Sequence, residues 1–330
     1  MSVVRWGILS TANIGQEQLI PAIHRSRNAE VAAIASSRDT INEIAERLKI
    51  PHTYSSYEEL LQDPTIDAVY IPLPNHLHKK WVIEAAKYGK HVLCEKPATL
   101  NSSDTEEMIA VCHDQNVKFM EAFMYQFDPM NQRVRDIIAS GEIGDVKLMR
   151  SSFSYYLGDR ETNIRMKKNM GGGALYDVGC YCIHAIRNII GSEPIDIKAT
   201  AKIDTITGVD LTTTVQMELE NGIQATFDCS FDMYGSQYYE VIGTMGKINV
   251  PYAFRPDQHG GGIIKVEKQS EERIEKYQAD NYVLEVEHFS QVILDNKQPI
   301  YTAENAIQNM RVIEACMKAI ESGRAISFSK

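Results

Sequence analysis

The stretch Val3-Val4-Arg5-Trp6-Gly7-Ile8-Leu9, followed at once by Ser10-Thr11-Ala12-Asn13-Ile14-Gly15, decides the fold. A short, mostly apolar run that ends in small and polar residues reads as a buried strand. Residues 14–24 then show helical spacing, with Pro21 expected to kink the helix or start a turn. The alternation continues downstream. Residues 31–35, 68–71, 91–94 and 118–122 read as further strands, and residues 40–48, 57–61, 77–88 and 103–115 as helices. Alternating strand and helix predicts a parallel sheet with right-handed crossovers, a doubly wound α/β domain over residues 1–122.

The pattern changes after Phe123. A helix over 130–140 ends at Gly141-Glu142-Ile143-Gly144 and gives way to a strand over 146–153. Gly171-Gly172-Gly173 precedes an apolar helix from about 174 to 190. Alternating segments follow at 197–203, 212–219, 224–228, 239–243 and 247–250, with Asn221-Gly222 as a hairpin signal because both residues accept positive φ. Helices over 282–294 and 302–322 close the chain. Residues 123–330 are therefore expected to form an α+β domain, built on a large, mainly antiparallel open sheet, that binds substrate and mediates oligomerisation.

Composition bounds the function. A 330-residue chain exceeds what one core usually organises, so two domains are expected. A formal net charge of −10 argues against a sequence-independent grip on nucleic acid. No apolar run is long enough for a bilayer, and the N-terminus does not read as a secretion signal. Cys94, Cys112, Cys180, Cys182, Cys229 and Cys316 are scattered through a chain rich in apolar residues and read as free thiols in a reducing cytoplasm.

The turn Ser10–Gly15 lies where a dinucleotide site places Gly-x-Gly-x-x-Gly. Ser and Ala stand in the first two glycine places, so by itself the segment fits a plain turn as well as a pyrophosphate cradle. Ser10, Thr11, Ala12, Asn13 and Ile14 are the candidate phosphate contacts, because the start of a helix offers amides to an anion. About 20 residues on, Ser36-Ser37-Arg38 occupies the place of the acid that would hold free ribose hydroxyls. Two hydroxyls and a guanidinium suit a 2′-phosphate, so NADP is favoured with NAD possible. The alternative is that Ser37 caps the next helix and Arg38 is solvated.

Glu95-Lys96-Pro97 ends the strand over 91–94, and Pro72-Leu73-Pro74-Asn75-His76-Leu77-His78 ends the one before it. Ligands of open α/β sheets bind beyond the carboxyl ends of the strands. Together with Gly171–Tyr181, Glu121–Tyr125 and Asn163-Ile164-Arg165, these segments make the whole chain resemble the Gfo/Idh/MocA family of glucose–fructose oxidoreductase and inositol dehydrogenase. The resemblance implies an N-terminal Rossmann domain and hydride transfer between nicotinamide and a hydroxyl or carbonyl carbon of a sugar, polyol, dicarbonyl or dihydrodiol. It also implies cofactor contacts at Leu73, Asn75, His78, Glu95, Lys96 and Arg165.

Tyr181, four residues after Asp177, matches the branch similar to glucose–fructose oxidoreductase and dimeric dihydrodiol dehydrogenase. Lys96, Asp177 and Tyr181 are the implied catalytic residues, with Tyr181 as acid/base and Asp177 orienting Lys96 or the substrate. An unperturbed phenol titrates near pH ~10, and an ammonium such as Lys96 is expected to favour its anion. The chain departs from the family at Gln126-Phe127-Asp128-Pro129, where relatives commonly carry Arg, an aromatic and His-Pro. Cys180, Cys182 and His184 do not converge on a helix, so no metal is expected.

Two alternatives stay open: a cofactor-binding regulator without catalysis, and an NAD-dependent polyol or inositol dehydrogenase. The expected partners are a small carbonyl or polyol substrate and further copies of the chain, as a homodimer or higher oligomer. An open sheet face with apolar positions to cover is the expected subunit contact.

Overall fold

A computed structural model describes residues 2–328; the ends of the two expected domains, Met1 and Ser329–Lys330, lie outside the described residues. The chain forms two compact units, one of residues up to Met124 with Asp280–Met310, the other of Tyr125–Ala279 with the segment from Arg311. Residues 280–310, assigned from sequence to the second domain, thus pack with the first unit.

In chain order the first unit contains β1 (Val4–Leu9), α1 (Ile20–Arg25), β2 (Ala29–Ala35), α2 (Ile41–Arg47), β3 (His52–Tyr54), α3 (Tyr57–Gln62), β4 (Ala68–Ile71), α4 (Asn75–Lys87), β5 (His91–Glu95), α5 (Ser102–Asp114) and β6 (Phe119–Ala122). The strands form a parallel sheet in the order β3-β2-β1-β4-β5-β6. This is the doubly wound order whose direction reverses between β1 and β4, where ligands bind. Strand interiors are apolar on both faces because helices cover both. A π-helical turn over Gly15–Leu19 precedes α1, with the Ile20 amide donating to the Gly15 carbonyl. It widens the helix just before Pro21, which has no amide to continue the ladder. The three-residue edge strand β3 is absent from the sequence reading; it is too short and too exposed to carry an apolar run.

The second unit begins with α6 (Pro129–Ala139), β7 (Val146–Tyr156), α7 (Cys180–Ile190), β8 (Pro194–Ile203), β9 (Asp210–Leu219) and β10 (Gln224–Ser230). It continues with β11 (Asp232–Gly243), β12 (Gly246–Val250), β13 (Gly262–Lys268) and β14 (Glu271–Tyr277). Helix α8 (Asn281–Leu294) belongs to the first unit, α9 (Ala303–Ser322) follows, and β15 (Ile326–Ser327) returns to the second. Among the described residues the second sheet has the order β14-β13-β12-β11-β7-β10-β9-β8-β15, antiparallel except between β7 and β10.

One expectation needs correction here. The Asn221-Gly222 turn joins β9 and β10, but only Gly222 takes positive φ (79°). The Gly222 amide donates to the Leu219 carbonyl, and Leu219 to Ile223, a three-residue loop with glycine in the left-handed position. The sheet face turned away from α7 is mixed. It presents Arg150, Ser152 and Ser154 of β7, Thr226 and Asp228 of β10, and Thr214, Gln216 and Glu218 of β9, beside the apolar Leu148, Tyr156, Tyr238 and Ile242. Ser152 donates to Asp228 at 2.8 Å.

Candidate active site

In the first unit, the expected cofactor residues gather at the carboxyl ends of β1, β2, β4 and β5. Ser10 leaves β1 with φ of 115°, a conformation that glycine adopts freely, so the turn keeps the fingerprint's backbone without its first glycine. Its hydroxyl accepts from the Ala12 amide at 3.2 Å and donates to the Pro72 carbonyl at 3.3 Å, tying the turns after β1 and β4 together. The Thr11 carbonyl accepts from the Gln16 side-chain amide at 2.7 Å, and helix starts at Asn13. A helix's first turn leaves amides unsatisfied by the helix itself, and that donor set fits a pyrophosphate.

After β2, the Ser36 hydroxyl accepts from the Arg38 amide at 3.2 Å. Thr40, not Ser37, stands at the start of α2, and it makes no side-chain cap. Ser37 and Arg38 are exposed, and the Arg38 guanidinium has no ion-pair partner among the described residues. A solvated guanidinium beside two hydroxyls fits a ribose phosphate.

Lys96 follows β5 in a loop that is held from two sides. Ala98 donates its amide to Glu121 at 2.8 Å, and His78 lies between the Pro97 and Leu73 carbonyls at 2.9 and 2.7 Å. His78 was expected to contact cofactor. It is instead fully buried beneath the loop, where burial pushes its imidazole down to about 4, and the neutral ring can donate to only one of the two carbonyls. Asn75 opens α4 beyond Pro74, and Leu73 is buried just before it.

Glu95 accepts the Tyr70 hydroxyl at 2.5 Å and the Lys96 amide at 3.3 Å. Behind it lies Glu285 of α8, 1% exposed, with one carboxyl oxygen lacking a partner among the described residues. Burial, then the charge of Glu95, push the Glu285 carboxyl well above the usual range. Burial and Glu95 likewise push up the Tyr70 phenol. Glu285 escaped the sequence reading. The signal was present: Tyr282, Glu285, Val286 and Phe289 share the i, i+3, i+4, i+7 stripe, so an acid stands at a core position.

In the second unit, Asp177 and Tyr181 sit at the start of the helix after Gly171-Gly172-Gly173. This start is π-helical over Leu175–Gly179 before α7 begins. Asp210 fixes it, accepting from the Leu175 amide at 2.8 Å and the Thr213 hydroxyl at 2.7 Å. A side chain at Gly173 (φ 118°) would meet the Asp210 carboxylate, so only glycine permits the approach. Desolvation, partly offset by these donors, pushes Asp210 up to about 6.

The Asp177 carboxylate accepts from Arg165 Nε and from the Tyr155 hydroxyl, both at 2.8 Å. Arg165, expected on cofactor, is therefore engaged by Asp177, and its guanidinium is raised above its ordinary range chiefly by that charge. Tyr155 was missed. Alternation along β7 was the available signal, since it shares a face with Phe153 and Met149. Tyr181 is 7% exposed, and its ring lies 5.3 Å from Phe153, 5.6 Å from Phe254 and 5.7 Å from Tyr125. Tyr125 in turn contacts His184 Nδ1 through its hydroxyl at 2.7 Å. Lys96 belongs to the first unit, and Asp177, Tyr181 and Arg165 to the second.

Residues 4–123 match an oxidoreductase family with an NAD-binding Rossmann fold, and residues 131–249 match the GFO/IDH/MocA C-terminal domain. A D-xylose 1-dehydrogenase (NADP(+)) of Haloferax volcanii is 38% identical over 98% of this chain and 99% of its own. A trans-1,2-dihydrobenzene-1,2-diol dehydrogenase of Mus musculus is 33% identical over 77% of each chain. Among solved structures, the 3-ketoreductase from Actinomadura kijaniata, in complex with NADP and TDP-benzene, superposes with a TM-score of 0.92. It is 27% identical over 97% of this chain and 98% of that one.

Fold and relatives together define an NAD(P)-dependent oxidoreductase. The chain belongs to the GFO/IDH/MocA family.

Proposed function

We propose that the chain oxidises a ring hydroxyl of an aldose, or reduces the corresponding carbonyl, with NADP(H) preferred over NAD(H). When bound, the nicotinamide supplies or accepts the hydride at C4; the chain's residues bind, orient and move the proton. In this reading the Tyr181 phenol exchanges a proton with the reacting oxygen, and the Lys96 ammonium stabilises negative charge developing on that oxygen. Asp177 sets the orientation of the phenol and the substrate. Ser10 to Ile14 hold the pyrophosphate, Ser36 to Arg38 the 2′-phosphate, and Leu73, Asn75 and Glu95 line the cofactor's place.

The observation that carries the reading is the pair Asp177 and Tyr181, one helical turn apart, the acid tied to Arg165 and the phenol set among three aromatic rings. An aldose substrate is supported by the likeness to the xylose dehydrogenase along the full chain. The aromatic surround of Tyr181 supports a second reading, a cyclic dihydrodiol, since the diene part of such a ring is apolar. A cytoplasmic setting is supported by six buried, unbridged cysteines. No helix among the described residues is long and apolar enough to cross a membrane.

Steady-state assays of D-xylose and of trans-1,2-dihydrobenzene-1,2-diol, each with NADP+ and NAD+, test the proposal. The expected result is turnover of the aldose with a higher kcat/KM for NADP+. Turnover of neither compound with either cofactor rejects it.

A further inference from the structure

The inner face of β7 matches the start of the α7 helix residue for residue. Phe153 lies against the Tyr181 ring, and Tyr155, two residues on, reaches Asp177. Asp177 lies in the wider π-helical turn and Tyr181 four residues on in α7, so one β7 side chain serves each member of the pair. The turn Ile164–Met166 brings a third group, Arg165 Nε, to the same Asp177 oxygen that Tyr155 holds.

We propose that Tyr155 and Arg165 are positioning residues that clamp one oxygen of Asp177 and so hold its carboxylate in register with the Tyr181 phenol. The inference rests on the functional reading above and gives Arg165 a role apart from the cofactor. Tyr155 is suited to it. Desolvation and the neighbouring Asp177 charge push its phenol well above the ordinary range, so it stays a donor at any working pH. The groups that face Asp177 include Tyr155 from β7 and Arg165 from the 164–166 turn, with Tyr181 beside Arg165 from the helix itself. Loss of either donor leaves the carboxylate less favoured over the acid and more loosely held. The Phe231 ring, 5.3 Å from that of Tyr155, keeps a Tyr155→Phe variant packed.

The test is a carbon-13 NMR titration of protein labelled at its aspartate carboxyls, with Asp177→Asn assigning the resonance. Tyr155→Phe and Arg165→Gln are each expected to move the Asp177 midpoint upward by about half a pH unit or more. With D-xylose and NADP+, Tyr155→Phe is expected to lower kcat about tenfold, the scale of a hydrogen bond to a charged group, with KM for NADP+ unchanged. Arg165→Lys is expected to restore part of what Arg165→Gln loses. A midpoint that does not move in Tyr155→Phe overturns this inference whatever the rate. An Asp177→Asn variant that turns over at the parental rate overturns the functional reading whatever the midpoint does.

Discussion

The Lys96 loop and the Asp177 helix start hold their functional groups by different means. Around Lys96 the holding groups are buried and neutral at working pH, or inward-facing acids: His78 between two carbonyls, Glu121 on the Ala98 amide, and Tyr70 on Glu95. Around Asp177 the holding groups are a guanidinium and a phenol in a half-buried setting. The first arrangement fixes a backbone. The second fixes a side chain directly, through charge, and is the more sensitive to pH and to single substitutions at its edge. A charged pair that is partly solvated loses part of its strength to screening, whereas buried neutral hydrogen bonds do not.

The largest expected effect removes the group that the first arrangement presents. Lys96→Ala should lower kcat by more than about a hundredfold with the fold intact, as loss of a proton-transfer or charge-stabilising group does. Steady-state kinetics beside a circular dichroism melt check it, and an undiminished rate in folded protein removes Lys96 from the chemistry.

Next in size is the second arrangement. Tyr181→Phe keeps the ring among Phe153, Phe254 and Tyr125, so stability should hold while kcat falls about tenfold to hundredfold. Cofactor affinity should stay near the parent's, measured by fluorescence titration; a parental kcat makes Tyr181 packing only. Asp177→Asn should fall between the parent and Tyr181→Phe.

Arg38→Ala tests the cofactor end. Loss of one charge-assisted contact should weaken NADP+ about tenfold and NAD+ much less. Equal weakening of both cofactors means that Arg38 stacks on the adenine and does not read the phosphate.

The smallest effect is a pH dependence of stability. Glu285 is raised well above its unfolded value, so the native chain keeps a proton that the unfolded chain releases. Stability from this group is full below the unfolded value of about 4.5 and is lost as pH rises toward the folded value. Asp210, pushed up to about 6, adds the same slope between its unfolded value and pH 6. Glu285→Gln should match the parent's Tm near pH 4 and exceed it by a few degrees at pH 8. A constant difference across pH would show that Glu285 is ionised in the native protein.

The first sheet was legible because each parallel strand is buried on both faces and reads as an apolar run. The edge strand β14 and its neighbour β13 were not. Their outward positions carry Lys265, Glu267, Glu272 and Lys276, and ion pairs such as Arg273–Glu142 and Arg133–Glu275 anchor β14. Charge pairing leaves no periodic apolar trace. At the site, the residues that carry chemistry were legible from their motifs, whereas those that hold them were not. His78 was given the cofactor because its motif faces the strand end, yet the first turn of α4 directs it beneath the loop. Tyr155 and Glu285 sit on elements far away in the chain, and only folding brings them to Asp177 and Glu95.

Helix α8 carries one more consequence. It packs on α1, β1 and β2, and Ser290 receives the Trp6 indole at 3.1 Å, so strands made first are completed by residues made nearly last. On the ribosome, the nucleotide-binding sheet must wait, with one apolar face open, until the chain past Met310 has emerged. A fragment ending at Met124 would keep the nucleotide fingerprint and lack the wall behind it. Its expected behaviour is that of a chaperone client, while the unbroken chain closes the sheet from its own tail.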